Sequence, residues 1–211
     1  MVSSRRVFRR CTSLIALFAL VSSAAIGQAH AGAAASLNGA SGGRTVRVTS
    51  AQMDAWISAE ANYLSGRKLS VVCAATSQDW AQALSAAGFA SAEADQYYGF
   101  SLIAQGEMHL SPYVCEGLRL GILASTRRAN ELQVAWSVNV LLHEGVHMGR
   151  STFDEALAEA CARVGLPVEL HRLYGMAYHS TEMSRLTFAA TLFRRTQEPA
   201  YQGGTCRPPA A

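Results

Sequence analysis

The stretch "LLHEGVHMGRSTFDEALAEACA", residues 141–162, contains the closely spaced histidines and carboxylates that indicate a metal site. It places His143 and His147 four residues apart and puts Glu144 directly after the first histidine. Residues four apart on an α-helix share a face, so both imidazole rings can reach one metal ion at about 2.0 to 2.1 Å. Glu144 is rotated one residue around the helix, beside the position of a metal-bound water. The pattern predicts a Zn²⁺ site with Glu144 as its catalytic base.

A zinc site that keeps a water needs a third protein ligand. Glu155 is the first choice, because seven residues separate it from His147, enough for Gly149 to end the first helix and for a second helix to fold back. Thr152 and Glu155 also fit a capping box, in which the glutamate reaches back to the Thr152 backbone N–H. Other candidates remain open. Glu159 is the alternative third ligand or orients a histidine from outside the coordination shell, and the remaining choices are Asp154, His171 and His179.

The motif His143-Glu144-x-x-His147 resembles that of the zincin metallopeptidases. "EALAEACA", which begins at Glu155, is similar to the second helix of gluzincins, especially the ImmA/IrrE-like zinc peptidases, where a glutamate with a small residue three positions later supplies the third ligand. The segment is also similar to small exported bacterial proteins that are regarded as peptidases. The resemblance covers residues 138–162 and implies a zinc-dependent metallopeptidase that acts on a peptide or protein substrate.

In a site of this kind the metal lowers the pKa of its water to about 7, and Glu144 takes the proton as the water attacks a carbonyl. The resulting oxyanion needs a second donor. The donor candidates are Tyr174, Tyr178, His171 and Arg150, and His109 on a predicted hairpin is a candidate ligand or substrate contact. The competing hypothesis is a non-enzymatic exported or envelope-associated domain with a structural or degenerate metal site.

The first 31 residues are typical of an export signal. A charged start precedes an apolar stretch, Leu14 to Val21, and Ala29-His30-Ala31 fits a cleavage site. Ser4 to Phe8 resembles a twin-arginine motif, and a general secretory signal is the alternative. The apolar stretch is too short to span a bilayer, which takes about 20 residues. We therefore expect a protein that is secreted or located in the cell envelope, without a membrane span.

Removal of residues 1–31 changes the charge of the chain. It takes away four arginines and no acidic residue, which leaves 14 basic and 15 acidic residues and a net charge near −1. A chain with this balance offers no basic surface for nucleic acid. Four cysteines remain, and an even number in an exported protein predicts two disulfides with three possible connectivities. They are Cys73, Cys115, Cys161 and Cys206.

The elements predicted along the chain give an α+β fold with a small N-terminal sheet and a helical half that carries the H-E-x-x-H helix. Residues 32–43 are predicted to be a flexible lead-in, and residues 44–211 a single zincin-like domain; the oligomeric state stays unknown. The predicted N-terminal elements are a strand at 44–50, a helix from Ser50 to Gly66, a strand at 68–74, a helix at 77–89 and a hairpin at 99–112 that turns at Gln105-Gly106. Helices are predicted at about 112–124, 129–148, 153–164, 168–178 and 180–196.

Overall fold

Seven helices and five short strands make up the described part of the chain. The computed structural model describes residues 35–37, 46–48, 50–90, 97–122, 124–177, 180–197 and 201–206. The helices are α1 (Ser50–Ser65), α2 (Ser77–Ala86), α3 (Pro112–Ile122), α4 (Ala124–Ala129), α5 (Glu131–Arg150), α6 (Glu155–Tyr174) and α7 (Thr181–Gln197). The strands are β1 (Ala35–Leu37), β2 (Val46–Val48), β3 (Ser70–Cys73), β4 (Gly99–Leu102) and β5 (Glu107–Leu110). The fold is α+β, as the sequence predicts.

The main sheet has three strands in the order β3-β5-β4. β5 pairs with β3 in parallel and with β4 in antiparallel orientation. The predicted hairpin is therefore present, and Gly106 supplies a positive φ of 69° at the end of its turn. Among the strands that the structure describes, β4 pairs on one side only and forms an edge of the sheet. Its residue Phe100 packs with Trp80 and Leu84 of α2, and its opposite face lies against α5.

Helix α5 is the central element of the domain. It packs against α1, α3, α6 and α7, and nearly all of its residues from Val134 to Met148 are buried. Val138 and Leu141 contribute to a core that also contains Leu166 of α6 and Leu186 of α7. Because α5 has neighbours on most sides, its polar residues are buried too, and each of them needs a polar partner.

The first difference from the predicted elements lies at the end of α5. The helix does not end at Gly149 but continues to Arg150, and Ser151 takes the left-handed conformation with φ 49°. A side chain at position 149 would clash with α1, because a Cβ there would lie 2.7 Å from the Ser65 carbonyl oxygen at the end of that helix. The glycine thus allows close helix packing, and the prediction that it ends the helix is wrong.

The second difference lies in α6. Two helices were predicted at 153–164 and 168–178, but the structure has one helix with Pro167 inside it. Proline lacks the N–H that bonds to the carbonyl four residues earlier, which costs roughly 3 kcal/mol in a helix interior. Leu166 and Leu170 on either side of it are fully buried against α5. Their burial explains why the helix continues, since packing outweighs local propensity.

Two disulfides join distant parts of the chain. Cys73–Cys115 links β3 to α3, and Cys161–Cys206 links α6 to the C-terminal segment Tyr201 to Cys206. This agrees with the two predicted disulfides and resolves their connectivity. Disulfides persist in oxidising compartments, so they fit an exported protein. No helix in the described ranges is long and apolar enough to cross a membrane.

The N-terminal predictions fall mostly on residues that the structure does not describe. The predicted signal peptide, residues 1–31, lies outside the described residues. Of the predicted lead-in, only Ala35–Leu37 is described, and it pairs in antiparallel orientation with Val46–Val48. The cleavage site and the export route stay predictions.

Candidate metal centre

Three donor atoms converge between α5 and α6. His143 Nε2 lies 2.9 Å from Glu155 Oε2 and 3.0 Å from His147 Nε2, and His147 Nε2 lies 3.4 Å from the same carboxylate oxygen. Four ligands at about 2.05 Å around a tetrahedral ion lie roughly 3.3 Å from one another. The observed triangle is close to these dimensions. His143, His147 and Glu155 therefore form a group that can hold a metal ion.

The turn between α5 and α6 positions the carboxylate of Glu155 beside the two histidines. Asp154 is the N-cap of α6, and its carboxylate accepts a hydrogen bond from the Leu157 N–H at 3.0 Å. Thr152 Oγ1 accepts from the Asp154 N–H at 3.1 Å. The capping box of Thr152 with Glu155 is therefore not formed, and Asp154 is occupied as a cap. The Glu155 carboxylate is left to contact both histidines.

A backbone carbonyl fixes the proton of His147. Its Nδ1 lies 2.8 Å from the Thr152 carbonyl oxygen, which can only accept a hydrogen bond. Nδ1 therefore carries the proton and donates it. In the neutral ring, Nε2 then presents a lone pair to the triangle, as a metal-ligating imidazole does.

Glu159 lies behind His143 and not in the triangle. Its Oε2 is 3.5 Å from His143 Nδ1, on the side of the ring opposite the donor atom Nε2. Both side chains are buried, with exposed fractions of 2% for His143 and 1% for Glu159. A carboxylate in this position favours the proton on Nδ1 and leaves the Nε2 lone pair for a metal. This position fits the second of the two roles considered for Glu159, which is to orient His143 and not to bind the metal.

Strand β4 positions Glu144. Ser101 Oγ donates a hydrogen bond to Glu144 Oε2 at 2.9 Å, and a Cβ added to Gly99 would lie 3.0 Å from Glu144 Cγ. The glutamate is 4% exposed. Glu144 is thus held on the strand side of the histidines, next to the triangle but not part of it. Its negative charge acts on His147, whose pKa it raises, which makes Glu144 a candidate proton acceptor.

The carboxylates of Glu144 and Glu155 favour a positive charge on His147. Burial lowers the pKa of His147, but the hydrogen bond to Glu155 and the charges of Glu144 and Glu155 raise it overall to about 9. Burial raises the pKa of Glu155, but its hydrogen bonds to both histidines bring it well below its ordinary value. Protonated His147 therefore carries the positive charge that balances the neighbouring carboxylates. Its stabilising effect is complete below the ordinary histidine value of 6.5 and is lost as the pH rises through about 9.

Zinc binding at pH 7.5 is expected to release about one proton, because His147, with a pKa of about 9, is protonated in the metal-free protein. For the same reason the apparent affinity should rise about tenfold per pH unit below that value. Calorimetric titration with Zn²⁺ in buffers of different ionisation enthalpy measures the released protons. Binding without proton release would contradict the description of the site.

The other residues that the sequence suggested as ligands or oxyanion donors make contacts elsewhere in the fold. Tyr174 is buried against Gly121, and His171 Nδ1 bonds to the carbonyl oxygen of Met176, two residues after the end of α6. Arg150 donates to Cys206 Sγ at 3.9 Å. His109 stacks on Phe100 with ring centroids 4.6 Å apart. Tyr178 and His179 lie outside the described residues.

Sequence reasoning missed two residues of the site, Ser101 and Tyr201. The Tyr201 ring lies 5.8 Å from the His143 ring, centroid to centroid. It reaches this position because Cys206 is bonded to Cys161, two residues after Glu159. The cysteines were the signal for this arrangement, but the sequence leaves their pairing open.

Comparison with known proteins gives no relative: no family model, no curated protein and no solved structure matches the chain. The resemblance of residues 138–162 to zincins therefore stays a prediction from the sequence.

Proposed function

We propose that the protein is a zinc-dependent metallopeptidase in which His143, His147 and Glu155 bind Zn²⁺ and Glu144 is the general base. The observation that supports this most strongly is the triangle of 2.9 to 3.4 Å between three donor atoms, with Glu144 beside it. Two imidazoles and one carboxylate, with the fourth position left to water, are a ligand set typical of catalytic zinc. Soft sulfur ligands are not part of the group, which favours Zn²⁺ over Cu⁺.

In the proposed peptide hydrolysis, the residues of the candidate site have separate parts. Bound zinc supplies a water of lowered pKa and polarises the substrate carbonyl. Glu144 accepts the proton of the attacking water and returns it to the leaving amine, while Ser101 holds its carboxylate in place. We add Tyr201, whose ring lies 5.8 Å from that of His143, to the candidate donors for the developing oxyanion. The edge strand β4 offers backbone groups to an extended peptide.

Gly99→Ala tests the link between β4 and the base. The added methyl group would meet Glu144 Cγ and Val140 Cγ1, each at 3.0 Å, and must displace one of them by a few tenths of an ångström. We expect kcat to fall about tenfold with unchanged zinc content, because small misplacements of a catalytic group are costly. Steady-state kinetics with metal analysis measures both. Loss of zinc together with activity would show that the strand supports the ligands and not the base.

A second function has one observation in its favour. The side chains of His143, His147 and Glu155 are only 2%, 7% and 21% exposed, and Tyr201 lies against the site. Such burial suits a structural metal site in a non-enzymatic exported or envelope-associated domain. The two functions differ in the fourth position, which is open to a small ligand only in a catalytic site. Addition of acetohydroxamate to the Co²⁺-substituted protein changes the visible spectrum if that position is open.

The proposed activity is tested by incubating the purified protein with a mixture of peptides and identifying the products by mass spectrometry. Cleavage should stop with a chelator such as 1,10-phenanthroline and return when zinc is added. Zinc bound at one equivalent without cleavage of any peptide would favour the structural site. Cleavage that persists in the chelator would contradict metal catalysis.

We also propose that the protein acts outside the cytoplasm, either secreted or in the cell envelope. The two disulfides support this, because they persist in oxidising compartments. Residues 1–31 would direct export by the twin-arginine or the general secretory route. Intact-mass measurement of the exported protein should give an N-terminus near Gly32 and no free thiol among the four remaining cysteines.

A further inference from the structure

A cavity of about 250 Å³ lies between α6 and the C-terminal segment. Its walls are formed by Ala160, Arg163, Tyr201, Gln202, Gly203 and Gly204. Ligand pockets for drug-sized molecules start at about 300 Å³, so this cavity suits a smaller group, such as one amino-acid residue.

Two features hold the C-terminal wall in place. The Cys161–Cys206 disulfide fastens the segment to α6 at one end. Gly204 lies directly on the Ala156 carbonyl, where any Cβ would overlap the oxygen. Because the segment is fixed in this way, Tyr201 and Gln202 form one side of the cavity and Arg163 the other. The disulfide and this close contact therefore fix the described part of that wall against α6.

Arg163 supplies the charge of the cavity. Three arginines of the domain have carboxylate partners: Arg119 pairs with Asp54, Arg172 with Glu60 and Glu169, and Arg185 with Glu131. Within the described ranges, no carboxylate lies at ion-pair distance from Arg163. It is half-buried and lines the cavity together with the amide of Gln202. A guanidinium in this setting favours a carboxylate, which it can bind through two parallel hydrogen bonds.

The cavity adjoins the metal centre. Tyr201 belongs to both, since it lines the cavity and its ring lies 5.8 Å from that of His143. Arg163 follows Glu159 by one helical turn, about 6 Å along α6, and Glu155 by about 12 Å. Side chains on a helix lean towards its N-terminus, which for α6 is the end that carries Glu155. A carboxylate bound by Arg163 would thus lie within a residue or two of the metal.

We propose that this cavity binds a carboxylate of the peptide substrate, so that the metal centre cleaves next to the C-terminal residue. This proposal rests on the proposed function and names its substrate class. In the reaction one water adds across the peptide bond: its oxygen joins the carbonyl carbon, the C–N bond breaks, and the amine leaves with the proton carried by Glu144. The carboxylate is either the terminal one or that of an acidic side chain, and the experiment separates the two.

The kinetic test compares three peptides that are identical up to the last residue: one ends in alanine with a free C-terminal carboxylate, one in alanine with a C-terminal amide, and one in glutamate with a C-terminal amide. If the terminal carboxylate is bound, kcat/KM for the free acid should exceed that for both amides by about 10- to 100-fold, the size of a charged hydrogen bond. Preference for the glutamate peptide over the plain amide would instead identify the acidic side chain. Equal rates for all three peptides would overturn the proposal.

Arg163→Gln should lower kcat/KM for the carboxylate peptides by the same factor and leave the plain amide unchanged, while Arg163→Lys should recover part of the loss. Arg128→Gln is the matched control, since Arg128 is an exposed residue on α4. An equal loss on acid and amide in Arg163→Gln would show a structural role only.

A binding measurement tests the cavity even if no peptide is cleaved. It uses zinc-loaded protein with Glu144→Gln, which cannot turn over, and titrates N-acetyl-L-alanine or its amide while nuclear magnetic resonance shifts are recorded. The acid should bind at least about tenfold more tightly than the amide, and Arg163→Gln should abolish the difference. Preference for the acid that survives in Arg163→Gln would mean direct binding to the metal and would overturn the inference. Failure of catalysis with the expected binding would refute only the proposed function.

Discussion

Replacement of Glu144 by glutamine is expected to lower kcat for peptide hydrolysis by about 10² to 10⁴-fold with bound zinc unchanged. The amide keeps the size of the side chain and can still contact Ser101, but it cannot accept the proton of a water. The proposed zinc ligands are other residues, so we expect the metal content to stay at one equivalent. Single-turnover kinetics and metal analysis on the same samples give both numbers.

Glu116→Gln is the matched control for this change, because Glu116 is an exposed glutamate on α3. It should retain the activity and zinc content of the unmodified protein. Activity in Glu144→Gln within a few-fold of the unmodified protein would exclude Glu144 as the base. Loss of zinc in Glu144→Gln would instead place its carboxylate on the metal.

His147→Ala is expected to lose bound zinc and, with it, both the activity and the stabilisation that zinc provides. His143 and His147 lie on α5 and Glu155 on α6, so an ion between them links the two helices. At free zinc of about a hundred times the dissociation constant, the folded state gains about 2.7 kcal/mol. This corresponds to a rise of several degrees in Tm for a domain of this size. Thermal unfolding with zinc, with chelator and with zinc restored measures it.

The gain in Tm should shrink as the pH falls from 7.5 to 5, since protons compete for the imidazoles. The raised pKa of His147 means that this competition already begins near pH 9. His171→Ala is the control, because this exposed histidine bonds to the end of α6 and not to the triangle. A Tm indifferent to zinc at pH 7.5 in folded protein, or a His147→Ala variant that still responds to zinc, would contradict the site.

The core of the site was predictable because it is encoded within a short stretch. His143, Glu144 and His147 are fixed relative to one another by helical periodicity alone, which no tertiary contact can alter while the helix persists. Glu155 follows after a turn so short that the second helix must return beside the first. The fold class was predictable for a similar reason, since the hairpin turn at Gly106 and the helix start at Pro112 are local signals.

The features of the fold and of the site that could not be predicted depend on contacts between residues far apart in sequence. Gly149 and Pro167 are local signals for a helix end, yet packing against Ser65 and burial of Leu166 overrule them. Ser101 and Tyr201 enter the site from the sheet and from the C-terminal segment. No periodicity in residues 138–162 could indicate either of them, since their positions follow from strand pairing and from the choice among three disulfide connectivities.

X-ray absorption at the zinc K-edge of the zinc-loaded protein tests the central claim most directly, namely that two histidines and one carboxylate hold the ion and leave a position for water. We expect four nitrogen or oxygen neighbours at about 2.0 to 2.2 Å, with the scattering of two imidazole rings. One of these rings should disappear in any zinc that His147→Ala still binds. A sulfur neighbour at about 2.3 Å, or a spectrum without imidazole scattering, would contradict it.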